Sequence, residues 1–222
     1  MSRLGTPLSG ADKAAESPRL PSILMAAAEC APFAKTGGLA DVAGTLSREL
    51  KDLGFDTRLM VPYHRVIKDK YRDAVQHVVS FSVDLGWRSQ YAGIELFDWD
   101  GLPVYFIDNE YYFGHAIYRG GSFEGEQYAY FSRVILEALP LIGFEPDIIH
   151  VNDWHTAMVP MLQKTQYVGK PQSKAKTVLS IHSLGYQGRF DFSFAADLLS
   201  IEGKYYSPDY LEFYGSANFM KG

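Results

Sequence analysis

The stretch Ile23–Val42, ILMAAAECAPFAKTGGLADV, constrains the fold more than any other. Ile23, Leu24 and Met25 open a short apolar run bounded by Pro21 and Pro32. That is the pattern of a parallel strand covered on both faces. Leu39, Val42, Leu46, Leu50 and Leu53 then recur at helical spacing, and Gly54 supplies the stop. Between strand and helix lies Lys35-Thr36-Gly37-Gly38. Two glycines ahead of a helix let the backbone approach a ligand closely, and the free N–H groups of the first turn favour an anion. With the charge of Lys35 beside them, the loop reads as a holder of phosphate. A plain strand-to-helix connection with Lys35 solvated is the competing reading. The chain carries neither G-x-G-x-x-G nor G-x-x-x-x-G-K-[ST], so this is neither of the common phosphate loops.

The rest of the chain extends the same pattern. Thr57–Val61, closed by Pro62, reads as a second strand, completing a right-handed strand–helix–strand unit. After a charged loop with a short helix, Val75–Leu85 alternates in part, and Ala92–Phe97 and Val104–Ile107 flank Asp100-Gly101. Asp-Gly between two such runs signals a hairpin, so an antiparallel insertion is expected here, with its last strand placed to rejoin the main sheet. Asp108–Gly125 reads as an exposed loop, and Glu126–Ile142 as an amphipathic helix with one apolar stripe. Pro146–Val151 is a further buried strand, Thr156–Gln166 a helix and Thr177–Ile181 another parallel strand. Ser183–Gly222 reads as loop, with one helix near Phe194–Leu199. The expected fold is α/β: a doubly wound, Rossmann-like parallel sheet with an antiparallel hairpin insertion.

Composition narrows the function classes. A net charge of −5 and the absence of a basic run argue against a nucleic-acid surface. The single cysteine, Cys30, excludes an internal disulfide and fits a reducing, cytoplasmic compartment. Residues 1–21 are small, polar and proline-rich, and Asp12 and Glu16 offset Arg3 and Arg19. They read as a disordered leader, matching neither a secretory signal nor a transit peptide. No segment approaches the ~20 apolar residues of a membrane span. Residues 22–222 are expected to form one domain.

In doubly wound sheets, ligands sit outside the carboxyl ends of the strands. Three polar clusters fall there: Lys35–Gly38, then Asp153 with His155, then His182. Each has a plainer reading. Asp153 is a natural helix N-cap, His155 a satisfied histidine in a first turn, and His182 a ring bonded to nearby backbone. No H-E-x-x-H and no G-x-S-x-G occurs, so zinc and serine-hydrolase templates do not fit.

Four segments in order, KTGGLADV (Lys35–Val42), HVNDWHTAMVP (His150–Pro160), SIHSLGYQGRF (Ser180–Phe190) and LEFYGSANFMKG (Leu211–Gly222), resemble bacterial glycogen synthases and plant starch synthases. The resemblance runs from about Ile23 to the last residue. It implies the GT-B fold, two Rossmann-like domains facing across a cleft. It also implies retaining transfer of glucose from ADP-glucose to the non-reducing end of an α-1,4-glucan, with no metal or other cofactor. By this resemblance Lys35 and Gly38, with Thr36 and Gly37 in the same loop, contact the donor diphosphate. Asp41 contacts donor or acceptor, and Asp153 and His182 carry the catalytic positions. His155, Tyr186 and Gln187 line the substrate site. One departure is Ser183, where the family usually has asparagine. Another is length, because family members run to roughly twice this size, consistent with two domains. The chain then corresponds to the acceptor-side, N-terminal domain, with the second GT-B domain absent and little activity expected alone. A fragment, a truncated product and one half of a split enzyme all fit. The alternative reading is a non-catalytic glucan-binding or regulatory module, with Tyr112, Tyr118 and Trp154 as candidate sugar-facing aromatics. A nicotinamide-binding domain is disfavoured by the missing glycine fingerprint.

Overall fold

The structure, a computed structural model, describes residues 19–222, so the expected leader lies almost wholly outside the described residues. In chain order the first half runs β1 (Ile23–Ala26), α1 (Gly38–Asp52), β2 (Thr57–Pro62), α2 (Arg65–Tyr71), β3 (Gln76–Leu85), β4 (Arg88–Trp99) and β5 (Leu102–Asp108). There follow α3 (Glu110–Phe113), α4 (Gly121–Leu141), β6 (Ile148–Asn152), α5 (Trp154–Thr165) and β7 (Lys176–Ser180). The last part holds β8 (Arg189–Phe190), α6 (Phe192–Leu199), β9 (Glu212–Phe213) and β10 (Ser216–Asn218).

The apolar run at Ile23 becomes the centre of the molecule. All four residues of β1 are buried, and the strand pairs in parallel with β2 on one side and β6 on the other. The main sheet has the order β3-β4-β5-β2-β1-β6-β7. From β1 the chain winds outward through β2 and β5 in one direction and through β6 and β7 in the other. That is a doubly wound sheet, with its switch point between β1 and β6. The expected hairpin is present. Asp100 and Gly101 both take positive φ, 53° and 81°, as a tight two-residue turn between β4 and β5 requires. β5 runs antiparallel to β4 but parallel to β2, so the insertion rejoins the main sheet.

Four local readings are corrected. On α1 the buried face is Leu39, Ala40, Ala43, Gly44 and Ser47, whereas Val42 and Leu53 are 41% and 68% exposed. The helix lies too close to the β1 loop for large side chains: a Cβ at Gly44 would overlap the Ala31 carbonyl oxygen. Close approach selects small residues and displaces the leucine stripe to the flank.

The stretch read as an exposed loop, Asp108–Gly125, contains α3 and the first turn of α4. Tyr112 and Phe113 are buried, with Tyr112 stacked on Tyr130 at 4.5 Å and its hydroxyl donating to Glu126 Oε1 at 2.8 Å. An aromatic body with a partnered hydroxyl is core material, and its sequence neighbours hide this. Tyr112 is therefore removed from the candidate sugar-facing aromatics. Thirdly, α4 is buried nearly all round, not along one stripe, because it is packed among α5, α6 and β3. Lastly, β8, β10 and β9 form a small antiparallel sheet, too short in each strand to show a period.

Candidate functional site

An open cleft of about 1480 Å³ lies at the carboxyl ends of β1, β6 and β7. It is lined by Thr36, Gly37 and Gly38 after β1, by Asp153 and His155 after β6, and by His182, Tyr186 and Gln187 after β7. The three clusters expected from sequence thus converge on one space. Lys35 and Asp41 do not line it. They pair with each other at 2.7 Å, both about half exposed. An exposed pair of this kind is held weakly, so Lys35 can turn toward an anion at little cost.

Gly37 and Gly38 have unusual surroundings for glycines at a helix start. Gly37 is in extended backbone, and no atom lies within 4 Å of a Cβ placed on Gly38. Neither a left-handed conformation nor internal packing explains the pair. What the missing side chains do is leave the first N–H groups of α1 open to the cleft.

Asp153 follows β6 directly and occupies the N-cap position of α5, but its side chain caps nothing. Its Oδ1 accepts instead from the backbone N–H of His182 at 2.7 Å and of Ser183 at 3.2 Å. The backbone there has φ 54° and ψ −176°, a region nearly confined to glycine. Holding aspartate in it costs about 1–3 kcal/mol. A strained, buried carboxylate that ties the β7 loop to β6 is stronger ground for function than capping. The His182 ring also departs from its plainer reading: Nε2 lies 2.9 Å from a side chain, Asn152 Oδ1. Ser183 keeps its backbone bond to Asp153, so this attachment does not need the usual asparagine side chain.

His155 is 7% exposed and packed among aromatic rings, 4.3 Å from Trp154, 4.5 Å from Tyr128 and 5.0 Å from Tyr118. Trp154 is itself buried, and of the three candidate aromatics only Tyr118 is partly exposed, where it lines the cleft. Burial, with a smaller repulsion from His64, pushes the His155 pKa down to about 3. Burial likewise pushes His64 down to about 4, although its ring is hydrogen-bonded with the Ala28 carbonyl at 2.8 Å. His155 is therefore neutral near pH 7 and does not offer a cation to phosphate. A stability consequence follows. The unfolded chain protonates both rings near pH 6.5 and the folded chain does not, so the unfolded state binds more protons below that point. Stability contributed by the neutral rings is full above about pH 6.5 and falls as pH drops toward about 4 for His64 and 3 for His155. The melting temperature is expected to fall between about pH 7 and about pH 5, above most carboxylate titration. Equal values at the two would contradict it.

Tyr186 is 75% exposed on the β7–β8 loop. Gln187 is tied down: its amide donates to Leu184 O at 2.9 Å and its Oε1 accepts from Asn218 at 2.7 Å. Two functional candidates escaped the sequence reading. Glu29 is 2% exposed, lines the cleft, and accepts both the backbone N–H and the hydroxyl of Thr36. Its signal was a lone acid inside the apolar run AAAEC. Asn152 bonds the His182 ring, and nothing in its spacing pointed there.

A cleft with polar groups from three strand ends, at the switch point of a doubly wound sheet and beside a helix N-terminus, defines a Rossmann-like ligand-binding domain. A family model for the starch synthase catalytic domain matches residues 22–222. The chain belongs to that family. Glycogen synthase from Geobacillus thermodenitrificans is 48% identical over 201 residues, covering 90% of this chain and 41% of its own. That from Caldicellulosiruptor saccharolyticus is 47% identical over 202 residues, covering 90% of this chain and 42% of its own. Among solved structures, the catalytic domain of starch synthase IV from Arabidopsis thaliana, bound to ADP and acarbose, superposes with a TM-score of 0.81 at 28% identity. The match covers 91% of this chain and 43% of that one. The chain thus spans about two fifths of the length of the curated relatives it matches.

Proposed function

We propose that this chain is the acceptor-side half of a retaining glucosyltransferase of the GT-B type. It moves glucose from ADP-glucose to the non-reducing end of an α-1,4-glucan. The observation that carries the reading is the meeting of Gly37–Gly38, Asp153 and His182, from three separate strand ends, in one cleft. In the proposal, the open N–H groups at the start of α1 receive the donor diphosphate, and Lys35 leaves Asp41 to join them. Asp153 faces the positive charge that develops at the anomeric carbon as the phosphate departs. His182, Tyr186 and Gln187 shape the sugar pocket, with Thr36 and Glu29 holding the opposite wall. His155 acts through packing beneath them.

Catalysis by positioning needs both walls of such a cleft. The chain spans two fifths of its relatives, and β7, the edge strand among the described residues, leaves Val178 and Leu179 exposed at successive positions. Successive residues of a strand point to opposite faces, so both faces at this edge are open to further structure. In the proposal, a second GT-B domain supplies the other wall of the cleft. A cytoplasmic setting goes with the proposal, on the single thiol of Cys30. Among the described residues, no helix is long and apolar enough to cross a membrane.

The test is transfer of labelled glucose from ADP-glucose to glycogen, by the chain alone and by the chain mixed with a second domain from a related synthase. Activity only on mixing is the expected result. Activity alone would show one wall to be sufficient. No transfer in either case, with glucan still bound, would replace the transferase with a glucan-binding module.

A further inference from the structure

We infer that Asn152 is a positioning residue that sets the tautomer of His182, placing the proton on Nε2 and leaving Nδ1 as the ring's acceptor. Asn152 ends β6 and is 1% exposed. Its side-chain amide nitrogen lies 3.0 Å from the Ala26 carbonyl and 3.1 Å from Met25 Sδ, both on β1. Neither atom can donate, so the NH₂ group must face β1, and the amide cannot be turned over. Its Oδ1 then faces β7, where it lies 2.9 Å from His182 Nε2. An amide oxygen only accepts, so Nε2 must carry hydrogen.

Two further contacts keep the arrangement single-valued. The His182 backbone N–H is held by Asp153 Oδ1 at 2.7 Å, which fixes the ring's attachment point. The neighbouring His150 is engaged with Ser180 Oγ at 2.8 Å and does not compete for Asn152. In this tautomer the ring can accept from a hydroxyl through Nδ1, and it lines the cleft. On the transferase reading, on which this consequence rests, His182 is a hydroxyl acceptor for sugar and not a donor to phosphate.

The test uses the chain labelled with ¹⁵N-histidine and long-range ¹H–¹⁵N correlation, with the His182 signals assigned by their loss in His182→Gln. The wild-type ring, read in its neutral form, is expected as the Nε2–H tautomer. The acceptor that selects it is the Asn152 amide oxygen. Asn152→Leu removes it and should shift the tautomer ratio toward Nδ1–H by about tenfold, the worth of one net hydrogen bond. An Nδ1–H ring in the wild type overturns the inference without any variant. So does an unchanged ratio in Asn152→Leu whose other histidine signals are native. The spectrum reads the ring whether or not glucose is transferred. A wrong tautomer leaves the transferase reading standing, and an inactive chain with the expected tautomer leaves this one standing.

Discussion

Asp153→Asn is expected to cut glucose transfer by at least about a hundredfold, the scale seen when one charge-stabilising group is removed from an active site. The measurement is kcat in a synthase completed by a second domain. The substitution separates two roles that the geometry gives this residue. Its Oδ1 anchors the β7 loop through the N–H groups of His182 and Ser183, and an asparagine oxygen can accept both. What asparagine removes is the negative charge at the cleft. The melting temperature should therefore stay within about 3 °C of the parent, since no buried bond is lost. Asp153→Gly makes the complementary change. It relieves the backbone at φ 54° but releases the loop, and should be as inactive for a different reason. Full activity in Asp153→Asn would reduce Asp153 to a structural anchor and remove the charge from the mechanism.

The parallel frame was legible because each central strand is a compact apolar run between breakers, as Ile23–Ala26 is between Pro21 and Pro32. Asp100-Gly101 announced its turn because few other residue pairs accept positive φ twice in succession. The three strand-end clusters were legible for a topological reason: a doubly wound order brings those ends together whatever the loops do. What stayed hidden depends on distances between elements. The small-residue face of α1 follows from its contact with Ala31, which no periodicity within the helix encodes. The burial of Tyr112 follows from Tyr130 and Glu126, 18 and 14 residues away. Glu29 reads as an accident of composition until Thr36 is seen on its carboxylate. Asn152 looks like a strand residue until β1 and β7 are placed on either side of it. Lys35 shows the reverse. Its motif was plain, yet in the structure its charge is engaged by Asp41 at 2.7 Å.

The Gly188→Ala substitution is expected to destabilise the chain by about 4 kcal/mol, combining a left-handed backbone penalty of about 1 with overpacking of about 3. Gly188 has φ 63°, where a side chain is already disfavoured. A Cβ there would overlap Trp154 Cε3 and stand 2.8 Å from Cδ2 and 3.2 Å from Phe219 Cβ. None of these atoms can retreat easily. Trp154 is packed against Phe190 and Phe219, and the Gly188 carbonyl accepts from the Phe219 N–H at 2.9 Å. Because Trp154 follows Asp153 directly, any shift of the indole also strains the residue that anchors His182. Stability and site geometry should fail together. Gly185→Ala in the same loop is the control, since its Cβ would meet nothing nearer than Ser183 Oγ at 3.8 Å. That change should stay within about 0.5 kcal/mol. Urea midpoints for the two variants decide the matter. Matching midpoints would mean that the loop does not seat against Trp154, and the wall carrying Tyr186 and Gln187 would lose its support.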